Sequence, residues 1–391
     1  MRHSFSVIKL RSTRPAFDLL VIALGAFVML GLVDGALGVA WPSMREVFDR
    51  GLADLGLLLA FGSIGYLLAS SGYGCLHRRL GTGILLSLGS GLLALGLVGM
   101  AAAPAWGSVA ASAVFLGLGG GLVDTGMNAH AALAFDIRSI NLLHACYGLG
   151  ATLGPVVITI SLTAGVAWRG GYAALALFQL VSLTLIWARR SRWAGAEPDV
   201  SNDHPSDGNS LRLWILLGLF FLYTGVEVAT GQWAFTLLSE GRGMSTTAAG
   251  TWVAAYWGGL TLGRFIFGFT GHQLAPSRVL GGSVFVALLG LAMVWLDPGG
   301  WGATGLPIAG LGFAAVFPTL VSVTPSRLGR HRSTRSIGYQ LAAANIGAAS
   351  VPWVIGIVAE TVGVASLGPS LFGGGVLLAA AHLIANREAR R

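Results

Sequence analysis

Charge is scarce in this sequence. Only 10% of its 391 residues are Asp, Glu, Lys or Arg, against about 25% in soluble globular domains. Hydrophobic residues make up 54%, and mean hydropathy is +0.74. That balance excludes an ordinary water-soluble fold and puts the chain in a bilayer. Cysteine is scarcer still. Cys75 and Cys146 are the only two, expected at a helix end and inside the membrane, so no disulfide framework is implied. His130 and His144 lack the spacing of metal ligands, which excludes a zinc site. The chain also lacks a nucleophile–base arrangement and a nucleotide fingerprint, and its extramembrane loops are short. No enzyme activity, cofactor or metal is expected.

What is present is a series of long apolar stretches. A membrane-spanning helix needs about 20 mostly apolar residues. Twelve such stretches run from 17–42 to 363–384; the first ends at Trp41-Pro42 and the tenth covers 302–323. Residues 191–211 form the only long polar segment, with Pro, Gly and acids together, and read as a linker. It divides the chain into six-span halves, 1–190 and 212–391. The expected fold is therefore an all-α membrane protein, twelve helices in two pseudo-symmetric six-helix bundles. The basic start followed by an apolar run resembles a signal peptide. That run is about 25 residues long and other spans follow it, so it reads as an uncleaved first helix.

The net charge of +8 would suit nucleic acid if it were gathered on one soluble face, but its placement follows the membrane. With the N-terminus inside, nineteen Lys and Arg residues fall on that side, and only Arg45, Arg50, Arg169 and Arg242 on the other. This asymmetry predicts both termini in the cytoplasm of a bacterial-type inner membrane. The basic residues orient the protein and do not recruit nucleic acid.

The most informative stretch is 116–155. Asp124 lies well inside the fourth span, with Asn128 one turn on along the same face. An Asp at that depth costs roughly 2.5–3.5 kcal/mol on insertion scales, so such residues line a cavity or pair inside the bundle. The run Gly117, Gly119, Gly120, Gly121 lets a neighbouring helix approach closely. It lacks the strand–loop–helix context of a phosphate cradle. In the first span, Asp34 lies about seven residues before Trp41, roughly 10 Å deep. Asn141 and His144 stand near the start of the fifth span, where His144 suits either a proton relay or an interfacial position. In the seventh span Tyr223 and Glu227 share a face, and Gln232 and Trp233 follow. Arg264 is expected near the cytoplasmic boundary of the eighth span, as a gate or packing contact. Gln340 and Asn345 add polar groups to the eleventh.

The second half echoes the first. An offset of 193 residues carries Asp34 to Glu227, Gly65 to Gly258, and Gly117 to Gly310. A slightly larger one carries Gly150 and Pro155 to Gly347 and Pro352. Parallel repeats produce matches in this common order. Asp124 maps onto Phe317 and so has no acidic counterpart.

These residues resemble a known family. Twelve spans in two halves look like the major facilitator superfamily. Asp124-Thr-Gly-Met-Asn128, Asn141-Leu-Leu-His144 and Tyr223-x-Gly-x-Glu227-x-x-x-Gly-x-Trp233 are similar to its fucose/galactose/glucose–proton symporter branch. The resemblance implies that an acid on the first helix and one on the fourth, here Asp34 and Asp124, serve proton coupling and sugar binding. In the fucose symporters the fourth-helix acid is Glu, and Gln stands where this chain has His144. The loop after the second span, His77-Arg78-Arg79, keeps the basic part of the superfamily's Gly-x-x-x-Asp-Arg-x-Gly-Arg motif without its acid. Arg78 and Arg79 are candidate gate residues together with Arg264.

The reading that follows is a proton-coupled symporter of a small polar solute, foremost a monosaccharide, working as a monomer by alternating access. Asp34, Asp124 and Glu227 are the candidate proton-coupling acids. Asn128, His144, Tyr223, Gln232, Gln340 and Asn345 are candidate solute hydrogen-bonders, and Tyr147 and Trp233 candidate stacking platforms. Gly150-x-x-x-Gly154-Pro155 resembles a signature of facilitator exporters and keeps open a proton antiporter of amphipathic or drug-like compounds. A non-transporting membrane receptor is the alternative of another class.

Overall fold

Each apolar stretch becomes a helix because lipid offers its backbone no hydrogen-bond partners. The structure, a computed structural model, describes residues 17–193, 210–270, 275–328 and 330–390. The first half comprises α1 (Phe17–Val47), α2 (Asp54–Leu80), α3 (Thr82–Ala102), α4 (Trp106–Ala134), α5 (Ile137–Thr163) and α6 (Ala167–Ala188). The second comprises α7 (Ser210–Thr236), α8 (Thr246–Thr270), α9 (Pro276–Leu296), α10 (Gly305–Phe313), α11 (Val316–Leu328), α12 (Arg330–Val362) and α13 (Leu367–Arg390). Most of the linker 191–211 lies outside the described residues. Eleven of the described helical stretches, α10 and α11 counting as one, are long and apolar enough to cross a membrane. The remaining crossing, α8, spans 25 residues and carries Arg264.

Two expectations about the helices are corrected. The first helix does not stop at Pro42 but runs through it to Val47. A proline removes one N–H and leaves the other turns intact, so packing carries the helix past it. The tenth span crosses as one stretch, Gly302–Thr324, but its helix is not continuous, because α10 and α11 part at Ala314–Ala315. Pro318 accounts for the break: its ring clashes with the carbonyl four residues back, that of Ala314.

Glycines set the helix pairing. A Cβ on Gly150 of α5 would lie 2.0 Å from the Val28 carbonyl oxygen of α1, and one on Gly347 of α12 would lie 2.1 Å from that of Phe221 on α7. These two residues are repeat mates, so the same close crossing is built once in each half. The repeat mates Gly117 and Gly310 do the same for α4 on α2 and α10 on α8, each with a carbonyl within 2.1 Å of its missing Cβ. Asp136 starts α5 by accepting the Ser139 N–H at 2.9 Å. That contact holds its carboxyl below the ordinary range.

The halves meet along α1–α7, α2–α12 and α5–α8. Twelve alternating crossings leave the start of α1 and the end of α13 at one end of the molecule. At the opposite, far end, Arg45 in the last turn of α1 pairs with Glu240 after α7 at 2.6 Å. There too the Ala53 N–H at the head of α2 donates to Glu360 of α12 at 2.9 Å.

Candidate functional site

Asp34 and Asp124 come together in the first half. The Tyr147 hydroxyl of α5 donates to Asp34 Oδ2 at 2.7 Å, and the Tyr66 hydroxyl of α2 donates to Asp124 Oδ2 at 2.6 Å. Asn128 Nδ2 reaches back one turn to Asp124 Oδ1 at 2.8 Å and to the Asp124 carbonyl at 2.9 Å. The two carboxylates lie within electrostatic reach of one another. Asp34 keeps an accessible face although groups from α2, α4, α5 and α7 surround it. That face therefore opens into the interior of the bundle.

The second half contributes a different arrangement. Glu227 of α7 is only 7% exposed, and Arg264 of α8 stands 3.5 Å from its Oε1. Tyr256 donates to the Glu227 carbonyl at 2.6 Å, fixing the turn that carries the acid. Tyr223 is buried one turn earlier, its hydroxyl within electrostatic reach of Glu227 and Arg264 but closing no hydrogen bond of normal geometry. The Trp257 indole N–H, also buried, has no hydrogen-bond partner either. Open donors and hydroxyls of this kind are what a hydroxylated solute can engage.

His144 joins the two sides. Its ring packs edge-on against Phe27 at 5.5 Å, and it lies within electrostatic reach of both Asp124 and Arg264. Tyr147 likewise faces Arg264 and Glu227 as well as Asp34. Asp34, Asp124, Asn128, His144, Tyr147, Tyr223, Glu227 and Arg264 thus belong to one electrostatic neighbourhood spanning both halves.

Other candidates lie elsewhere. Trp233 is 0% exposed, its indole N–H donating to the Pro352 carbonyl at 3.0 Å. It seals α7 against α12 and presents no stacking face. Gln340 is also 0% exposed and bonds Thr324 at 3.0 Å, away from the acids. Asn345 donates to its own helix at Leu341. Gln232 crosses between halves, donating to the Asp34 carbonyl at 3.1 Å while its side-chain oxygen is buried without a partner. Arg78 and Arg79 are exposed at the end of α2. Arg264 is corrected from a boundary residue to the counter-ion of Glu227, because α8 continues past it and places it level with α7's acid. Tyr147 acts through its hydroxyl and not through its ring face.

Sequence reasoning missed Tyr66, an aromatic in an apolar stretch with no polar neighbour in sequence. Its signal was indirect, namely glycines spaced at 62 and 65 facing glycines at 117 and 121.

The geometry agrees with what the chain is similar to. It is 23% identical over 394 residues to Bypass of stop codon protein 6 of Saccharomyces cerevisiae, covering 90% of this chain and 79% of that protein. It is 31% identical over 245 residues to a glucose/galactose transporter of Brucella abortus, 58% of each chain. Its fold matches the crystal structure of a D-xylose–proton symporter with TM-score 0.74 at 16% identity, over 93% of this chain and 97% of that one. Residues 23–384 match the Major Facilitator Superfamily, and the chain belongs to that family: it is an integral membrane transporter, not an enzyme.

Proposed function

We propose that this transporter moves a monosaccharide together with protons. The observation that carries the reading is the pair Asp34 and Asp124, two acids at membrane depth held by tyrosine hydroxyls beside an accessible interior space. Acids so placed, with neutral partners, are suited to take up and release a proton during a transport cycle. The glucose/galactose relative supports the choice of solute. The indole N–H of Trp257, which has no hydrogen-bond partner, suits the hydroxyl groups of a sugar.

In this reading residues 1–190 and 212–391 move as two bodies joined by the linker 191–211, around a site between them. Both termini lie in the cytoplasm. The far end, closed by Arg45–Glu240 and Ala53–Glu360, is then the external side, and the chain is captured facing inward. Above that seal lies a vestibule of about 590 Å³ lined by Arg45, Glu46, Asp49, Arg50, Phe235 and Glu240. It is a waiting space for solute from outside.

The test is uptake by proteoliposomes. Labelled glucose or galactose should enter when the proton gradient points inward, and a protonophore should abolish accumulation. If no sugar of a broad panel moves while a cationic dye leaves along an imposed gradient, the exporter reading replaces this one.

A further inference from the structure

Asp124 is positioned by a residue from another helix, and the register of that contact is set by glycines. A Cβ on Gly117 would lie 1.9 Å from the Gly62 carbonyl oxygen, and one on Gly121 would lie 2.7 Å from the Tyr66 carbonyl oxygen. Residues 62 and 66 of α2 therefore step along residues 117 and 121 of α4, one helical turn at a time. Gly121 brings the backbone at Tyr66 against α4, and Asp124 stands three residues beyond on the same side. The 2.6 Å contact from the Tyr66 hydroxyl to Asp124 Oδ2 follows from that register.

The second half lacks both partners. The offset of 193 carries Asp124 to Phe317 and Tyr66 to Gly259. A Cβ at Gly259 would lie 2.3 Å from the Pro307 carbonyl, so there the backbones touch where the first half places a tyrosine. Phe317 packs its ring against Phe220 and Tyr223. The glycine-lined crossing is common to both halves, whereas the hydroxyl and the acid occur together in one.

We infer that Tyr66 is the positioning residue of the proton site. Its hydroxyl holds the Asp124 carboxylate in place and sets the pH at which that group exchanges its proton. This rests on the proposed proton coupling but not on the identity of the solute. A hydroxyl donor favours the ionised form of a carboxylate over the neutral form. Its removal moves proton exchange at Asp124 toward higher pH. The titratable groups facing Asp124 are Tyr66 from α2, Asp34 from α1 and His144 from α5. The packed helix α3 has none in its sequence.

Infrared pH titration of the purified full chain in lipid tests this without any solute. The wild type should show a protonated-carboxylic-acid band that disappears in Asp124→Asn. In Tyr66→Phe, which keeps the ring and its packing, the band should persist with its midpoint about one pH unit higher. Asn128→Ala, which removes the other donor, should move the midpoint the same way and guards against a Tyr66→Phe protein that fails to fold. An unchanged midpoint in a folded Tyr66→Phe protein would overturn the inference, leaving Tyr66 a packing residue, whatever Asn128→Ala does. A spectrum in which Asp124→Asn loses no band would overturn it too, since Asp124 would then not titrate. Wild-type proteoliposomes that keep the Asp124 titration but move no sugar of the panel, by exchange or by uptake, would count against the solute alone.

Discussion

The two halves of this transporter are alike in how their helices pack and unlike in how they hold their acids. In the first half, Asp34 and Asp124 each accept from a tyrosine hydroxyl, and among the described residues neither pairs with an arginine. In the second, Glu227 faces the guanidinium of Arg264. A carboxylate that takes a proton from beside a guanidinium loses an ion pair and leaves a buried cation behind. One held by a hydroxyl loses a single hydrogen bond. Equivalent helices therefore carry groups suited to different tasks: the first half to exchange protons, the second to present a fixed pair to the solute. Glu227, grouped at first with the coupling acids, differs from Asp34 and Asp124 in facing an arginine, and in the proposed reading it takes the second task.

The largest effect is expected from breaking the ion pair. Arg264→Leu leaves Glu227 buried without its cation and should cost about 3 kcal/mol of stability, the lower end for buried pairs because Arg264 keeps some exposure. Thermal unfolding in detergent measures it, and Arg264→Leu combined with Glu227→Gln should recover most of the loss. Recovery would be absent if the two side chains act independently.

Packing should respond equally in the two halves. Gly150→Leu and Gly347→Leu each force a side chain against a carbonyl about 2 Å away, so each should destabilise by about 2–3 kcal/mol. A loss confined to one of them would break the structural symmetry on which the comparison stands.

That symmetry was legible in the sequence because it is written in glycines, whose spacing survives the repeat. The twelve spans were legible for the same kind of reason, since lipid forces length and hydropathy on each crossing. Asp34, Asp124 and Glu227 stood out because acids at such depth are costly anywhere else. What sequence could not supply is which polar group meets which acid. Tyr147 and Trp233 looked alike as aromatics near the site, yet one donates to Asp34 and the other closes α7 onto α12. Arg264 looked peripheral because it lies six residues before the end of its apolar stretch at Thr270, and only its placement opposite Glu227 shows its partner. The Ala314 break depends on a proline four residues later, a local clash that hydropathy does not register.

Removing one hydroxyl should have a smaller effect. Tyr147→Phe deletes the donor to Asp34 at a cost of about 1.5 kcal/mol to its ionised form, so half-maximal uptake should need a roughly tenfold lower proton concentration. An unchanged proton dependence would place Asp34 outside the proton exchange.

The smallest effect belongs to the far-end seal. Arg45–Glu240 is a partly exposed pair worth at most about 1 kcal/mol, so Glu240→Gln should increase opening there by no more than about fivefold. The readout is labelling of a Leu37→Cys protein, one turn from Asp34 on the inner side of the seal, by a membrane-impermeant thiol reagent applied from outside. A much larger increase would mean that this pair alone holds the seal, without help from the Ala53–Glu360 contact.

The central claim is that Asp124 of the first half carries the proton, and Asp124→Asn tests it most directly. The amide keeps the shape and the contacts of a neutral acid but cannot exchange a proton. In proteoliposomes the variant should still exchange labelled glucose for unlabelled glucose across the membrane, yet fail to accumulate it under an inward proton gradient. Full gradient-driven accumulation by Asp124→Asn would contradict the account and pass the coupling role to Asp34 or Glu227.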